Sequence, residues 1–90
     1  MSLSKELPII NKLGLHLRAA AQFVQTSAKY QSDVWVSKDE RRVNGKSIMG
    51  VMTLVAAMGS VINVDCEGPD EASCMEALEK LCAGRFGEKE

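Results

Sequence analysis

The chain has little of what most active sites are assembled from. It carries one histidine, His16, and two prolines in 90 residues. One imidazole leaves no histidine dyad and no histidine-rich metal cage. Aromatic residues make up 4% (Phe23, Tyr30, Trp35, Phe86), too few for a base-stacking platform. Charge of one sign is also missing. Eleven Lys and Arg stand against 12 Asp and Glu, for a net charge of −1, and a basic stripe for nucleic acid is excluded. The longest apolar stretch, Ile48 to Ile62, is broken by Gly50, Thr53, Gly59 and Ser60 and falls short of a membrane span. Met1 to Glu6 lacks the basic and then apolar pattern of a secretory signal. Three cysteines, an odd number in a loop-poor chain, argue against a disulfide framework. The expected compartment is the cytoplasm, with no direct membrane insertion.

What is present is a 46% hydrophobic chain with patterning throughout. The length predicts one domain over residues 1–90 with one thin core. Leu7 to Asn11 reads as a short strand with Pro8 at its edge or start, and Asn11 to Gly14 as a loop. Leu17, Ala20, Ala21, Val24 and Ala28, with Phe23 beside them, have helical spacing up to Lys29. Val34 and Val36 alternate with Trp35 and Ser37, and Lys38 to Glu40 can turn the chain into a second strand around Arg42 and Val43. Val51, Leu54 and Val55 form a narrow apolar helical stripe with Ser47 placed as its N-cap. Ile62, Val64 and Cys66 alternate with polar neighbours. Gly68 to Glu71 starts a last helix, Asp70 as N-cap, striped by Met75, Leu78, Leu81, Cys82 and Phe86. The order is βαββαβα. It predicts an α+β, two-layer open-faced sandwich: a four-stranded antiparallel sheet with three helices on one face and water on the other.

The chemistry concentrates before the first helix. Gly14 frees the backbone ahead of His16, a side chain that is nucleophilic and partly neutral near neutral pH. The helix N-terminus behind it offers unpaired N–H groups and a positive dipole end. Arg18 adds a charged fork that suits phosphoryl oxygens. The pattern permits a phosphohistidine. By spacing alone it equally fits a polar loop residue at a helix start.

Gly14-Leu15-His16-Leu17-Arg18-Ala19-Ala20 resembles the G-L-H-A-R-P-A motif of the HPr family, the histidine-containing phosphocarriers of the phosphoenolpyruvate-dependent phosphotransferase system. The likeness extends through Asn11–Leu13, Phe23–Val24, Ser32–Val34, Val43–Gly50, Gly59, Gly68–Glu71 and Phe86–Glu88. The resemblance implies that His16 accepts a phosphoryl group through Nδ1 and that Arg18 stabilises it. It also implies enzyme I as the source, a IIA-type protein or domain as the recipient, and a carrier with no turnover of its own. Two departures stand inside the motif. Ala19 replaces a helix-starting proline, so the helix should survive with a looser start, and Leu17 replaces a small residue beside the histidine.

Asn44 to Met49 resembles the family segment whose serine is phosphorylated by the ATP-dependent HPr kinase/phosphorylase, which implies a regulatory role for Ser47 compatible with capping. The alternative is a regulatory module of the same fold acting mainly through Ser47. Ile48, Met49 and Met52 lie off the apolar stripe of that helix and are expected to be exposed; with Leu17 they form the docking surface that the resemblance implies. Cys66 and Cys82 fall on inward sides as free thiols, Cys74 is left unassigned, and no close Cys spacing supports a metal. No metal, no cofactor and a monomer are expected. The sugar-uptake and nitrogen-related branches of the system are both open.

Overall fold

Alternation in the strands resolves into a sheet with one dry face. A computed structural model describes residues 2–90; Met1, the first residue of the expected domain, lies outside them. The elements are β1 (Ser2–Pro8), α1 (Leu17–Ala28), β2 (Asp33–Lys38), β3 (Arg41–Asn44), α2 (Ile48–Met52), β4 (Val61–Glu67), α3 (Glu71–Ala83) and a 3₁₀ turn at Arg85–Gly87. The strands lie in the order β1-β4-β2-β3, every neighbour antiparallel. This is the expected βαββαβα sandwich.

The register puts Val34 beside Cys66 and Val36 beside both Val64 and Val43. These residues, with Leu7 and Ile62, are buried under the helices. Alternate positions face water: Arg42 lies over the Trp35 ring at 5.1 Å, and Asp65 accepts from the Ser4 hydroxyl. α3 packs on β1 and β4, α2 lies by β3, and α1 packs on both of those helices.

Several local expectations are corrected. The first strand runs Ser2–Pro8 rather than Leu7–Asn11, because full pairing with β4 from Ser2 against Glu67 to Pro8 against Val61 outweighs the local β signal of Ile9 and Ile10. Pro8 therefore ends the edge strand, where a missing N–H is tolerated. Ile9 remains buried, and its N–H donates to the Ser60 carbonyl at 2.9 Å.

α1 buries Ala19, Ala20, Phe23 and Ser27, whereas Leu17 and Ala28 are exposed. The helix rolls to bury the Phe23 ring, the largest apolar surface it carries. Val55 is not part of the core stripe of α2. That helix stops at Met52; Val51 and Leu54 are buried, and Val55 is 77% exposed.

Asp70 does not cap α3 with its side chain. Its carboxylate instead accepts the Gln31 N–H at 2.9 Å, the Ser32 N–H at 2.9 Å and the Ser32 hydroxyl at 2.5 Å. The Ser32 hydroxyl first, then the Gln31 N–H, hold Asp70 below the usual carboxylate range. Glu71 reaches back to accept from Gly68 N–H at 3.1 Å. Phe86 lies beyond α3 in the 3₁₀ turn, where Arg85 and Phe86 have φ of 56° and 54° and reverse the chain.

All three cysteines are buried and free, Cys74 included. Cys66 and Cys74 approach at 3.8 Å between sulfurs. Burial pushes the Cys66 and Cys82 thiols up to about 12 and raises Cys74 as well. Among the described residues, no helix is long and apolar enough to cross a membrane.

Candidate functional site

The segment between β1 and α1 is stitched to its surroundings by backbone bonds. Leu15 N–H donates to the Ala56 carbonyl at 2.8 Å, which ties this loop to the one that follows α2. Gly14 makes that approach possible. Its φ is +69°, and a Cβ there would stand 2.6 Å from the Ala56 carbonyl oxygen. Leu15 is buried, so the chain emerges at His16 with a fixed direction.

His16 is the N-cap residue of α1, with φ −73° and ψ 178°, and its side chain makes no capping bond. The helix begins at Leu17 without a proline at Ala19, whose methyl group is fully buried. Ala20 N–H closes the first turn on the His16 carbonyl at 2.8 Å. The earlier amides of the turn keep the positive dipole end beside the imidazole.

The imidazole is half-buried, its side chain 28% exposed. Nε2 lies 2.5 Å from Glu88 Oε2. A carboxylate only accepts, so Nε2 carries a proton, and in the neutral imidazole the lone pair is therefore on Nδ1. Asn11, fully buried, holds that carboxylate: its Nδ2 donates to Glu88 Oε1 at 3.0 Å and to the Gly14 carbonyl at 2.8 Å. The Asn11 amide, then His16, keep Glu88 below the usual carboxylate range, with a smaller contribution from Arg18. Lys12 N–H donates to the Glu90 carbonyl, and its ammonium lies 3.5 Å from the Glu90 carboxylate. The chain's last residues are thus strapped to the loop that presents His16.

Of the residues singled out in the sequence, His16, Arg18 and Leu17 come together at this helix start; Arg18 is exposed and Leu17 is 61% exposed. Met52 lies with His16 in one shallow surface pocket, together with Leu13, Leu15, Val55 and Ala56. Met52 is only half-buried and partly packed on the core, so it is less free than expected. Ile48 and Met49 are exposed, Met49 at 74%. Ser47 caps α2 as expected: its Oγ accepts from Gly50 N–H at 3.0 Å. Gly50 leaves room for it, since a Cβ there would lie 3.2 Å from that oxygen.

Glu88 and Asn11 are functional candidates that the sequence reading assigned no role. They stand 72 and 5 positions from His16, and no spacing rule joins a tail carboxylate to a loop imidazole. The available signal was only that Asn11 and Glu88 both fall in segments resembling the family.

A family model described as "PTS HPr component phosphorylation site" matches residues 3–83. The chain is 54% identical over 88 residues to phosphocarrier protein HPr of Neisseria meningitidis serogroup A, covering 98% of this chain and 99% of that one. It is 49% identical over 88 residues to phosphocarrier protein HPr of Cupriavidus necator, with the same coverage. The crystal structure of HPr from Thermoanaerobacter tengcongensis superposes with a TM-score of 0.94 at 45% identity, covering 98% of this chain and 99% of that one. With the matched segment spanning the His16 loop, all three helices and the four strands but for Ser2, the chain belongs to the HPr family, the phosphocarrier component of the bacterial phosphotransferase system.

Proposed function

We propose that His16 is the phosphoryl acceptor and that the group enters on Nδ1. The tautomer carries this reading: Glu88 holds the proton on Nε2 and leaves the Nδ1 lone pair for attack. In the proposed step, Nδ1 forms a bond to phosphorus as the donor's own bond to phosphorus breaks. The Nε2–H stays on Glu88 throughout. The start of α1 and the Arg18 guanidinium receive the charge of the phosphoryl oxygens. Enzyme I supplies the group and a IIA-type protein takes it on, so the chain is a cytoplasmic, monomeric carrier and not a catalyst with turnover. It needs no metal or cofactor, because positioning and charge are most of what phosphoryl transfer requires. Leu17, Ile48, Met49 and Met52 form the docking surface around it.

Incubation with enzyme I and phosphoenolpyruvate tests this. One acid-labile, base-stable phosphate should appear per chain, and His16→Ala should abolish it. An unlabelled chain overturns the reading.

Ser47 supports a second modification on the same face. Its Oγ already sits at the start of α2, where a phosphate gains from the local amides and places about two negative charges beside the docking surface. HPr kinase/phosphorylase with ATP should give an acid-stable phosphate that is absent in Ser47→Ala. Label persisting in that variant would remove Ser47 from the regulatory role.

A further inference from the structure

A phosphorylated imidazole has one ring nitrogen left for a proton. With phosphorus on Nδ1 that nitrogen is Nε2, and its proton governs how easily the phosphoryl group departs. With Nε2–H present, breaking the Nδ1–P bond releases neutral imidazole. Without it, the same bond must expel an imidazolate anion, a more basic and slower leaving group. For the same reason a phosphohistidine is lost in acid and persists in base.

The surroundings of Nε2 favour that proton. Glu88 Oε2 lies 2.5 Å away, and both side chains are partly withdrawn from water. Asn11, fully buried, anchors the other carboxylate oxygen. Its amide, then His16, hold Glu88 in the charged form, below the usual carboxylate range. Two other charges stand near the pair. Arg18, from α1, acts on Glu88 with a charge that does not titrate, and the Lys12 ammonium is taken up by Glu90. The segment after α2 meets the ring pocket through Met52, Val55, Ala56 and Ala57, none of them titratable. Among the described residues, Glu88 is the carboxylate paired with the ring.

We propose that Glu88 governs release of the phosphoryl group: its carboxylate keeps the proton on Nε2 of phosphorylated His16, so that the ring departs as neutral imidazole through the neutral pH range. This deepens, and rests on, the carrier reading of His16. In transfer the Nδ1–P bond breaks, its electron pair returns to Nδ1, and phosphorus bonds to the acceptor's nucleophile. In hydrolysis water is that nucleophile and gives its proton to solvent. Nε2–H is retained in both. Phosphorylation on Nδ1 turns the neutral ring into a cation that still faces a carboxylate, so the pairing strengthens once the group is loaded. Glu88 is a positioning residue: it holds the proton on the far side of the ring from phosphorus and acts through His16.

The test follows the phosphorylated chain after enzyme I and phosphoenolpyruvate have been removed. The parent, Glu88→Gln and Glu88→Ala are each labelled to completion, and the first-order loss of phosphate in water is measured from about pH 5 to about pH 10. Loss should slow as pH rises and Nε2 gives up its proton; in Glu88→Ala this fall should come about one pH unit earlier. At about pH 8 that variant should then hold its phosphate roughly tenfold longer than the parent. Glu88→Gln keeps an acceptor without the charge and should fall between the two. Phosphorus-31 NMR, whose shift reports the ring proton, should titrate in the same order. Superimposable profiles for the three chains overturn this proposal alone. So does a change of rate that is equal at every pH, the mark of a merely structural tail, and so does faster loss from Glu88→Ala at about pH 8. An unsubstituted chain that takes no label overturns the carrier reading and this proposal with it.

Discussion

Glu88 Oε2 and His16 Nε2 lie 2.5 Å apart, so a carboxylate two residues from the chain's end decides which nitrogen of the imidazole has the lone pair. Only side chains 72 positions apart make this pair, and Asn11 holds the carboxylate in place from the loop side. The arrangement has the logic of an orienting acid behind a reactive histidine: it fixes tautomer and ring direction and does not itself react.

Glu88→Ala should therefore slow phosphorylation of His16 roughly tenfold or more, with a smaller loss in Glu88→Gln, whose amide oxygen still accepts from Nε2–H. Nitrogen-15 NMR of the imidazole is the readout that a merely structural role would not move. The parent chain should show the Nε2–H form, and Glu88→Ala should shift toward the Nδ1–H form. Unchanged tautomer populations would remove Glu88 from this role.

Gly14→Ala meets two obstacles at once, a φ of +69° and a backbone oxygen 2.6 Å from the new Cβ. The neighbour is the Ala56 carbonyl, which cannot rotate away as a side chain would, and which also accepts from Leu15. We expect a loss of about 2–4 kcal/mol in denaturant unfolding. Phosphorylation of His16 should fall as well, because the loop and the turn bearing Val55 separate.

Asp70 makes stability depend on acid. Its folded pKa is lowered by the Ser32 hydroxyl and the Gln31 N–H, so the unfolded chain takes up a proton at higher pH than the folded one. Its stabilising contribution is fully present above the ordinary value of 3.8 and is lost as pH falls through the depressed one. Glu88, also lowered, adds in the same direction. Asp70→Asn should be less stable than the parent at about pH 6 and should converge on it by about pH 2.5, as followed by urea unfolding. A stability difference that stays constant across that range would contradict the account.

The thiols should be inert in the folded chain. Cys66 and Cys82 are raised to about 12 by burial, Cys74 is raised too, and all three are enclosed. A water-soluble thiol reagent at about pH 8 should label none of them in native buffer and all three after unfolding. Rapid native labelling of any one would show an opening of the α3 side of the core.

The sites where sequence pattern misplaced a residue share one cause. Val55 continues the helical spacing of Val51, but five residues of α2 are too short to carry that face further, and the turn throws it outward. Asp70 has the composition of an N-cap, yet two backbone amides and a hydroxyl from the α1–β2 loop bind it more fully than its own helix can. Ile9 and Ile10 have β character, but the partners that β4 supplies run from Ser2 to Pro8, so the strand starts five residues earlier than Leu7.

By itself the sequence determined the order βαββαβα, the dry faces of the later strands, the cap at Ser47 and the place of His16 and Arg18 at a helix start. Those are local matters: periods of two and 3.6, a capping hydroxyl, a glycine before a helix. Only the tertiary structure decided which ring nitrogen is free, because its partner arrives from the other end of the chain. Tertiary structure alone also set Val55 on the rim of the His16 pocket and Asp70 across two loops. Contacts of that kind depend on how elements pack, and packing leaves no period in the sequence to read.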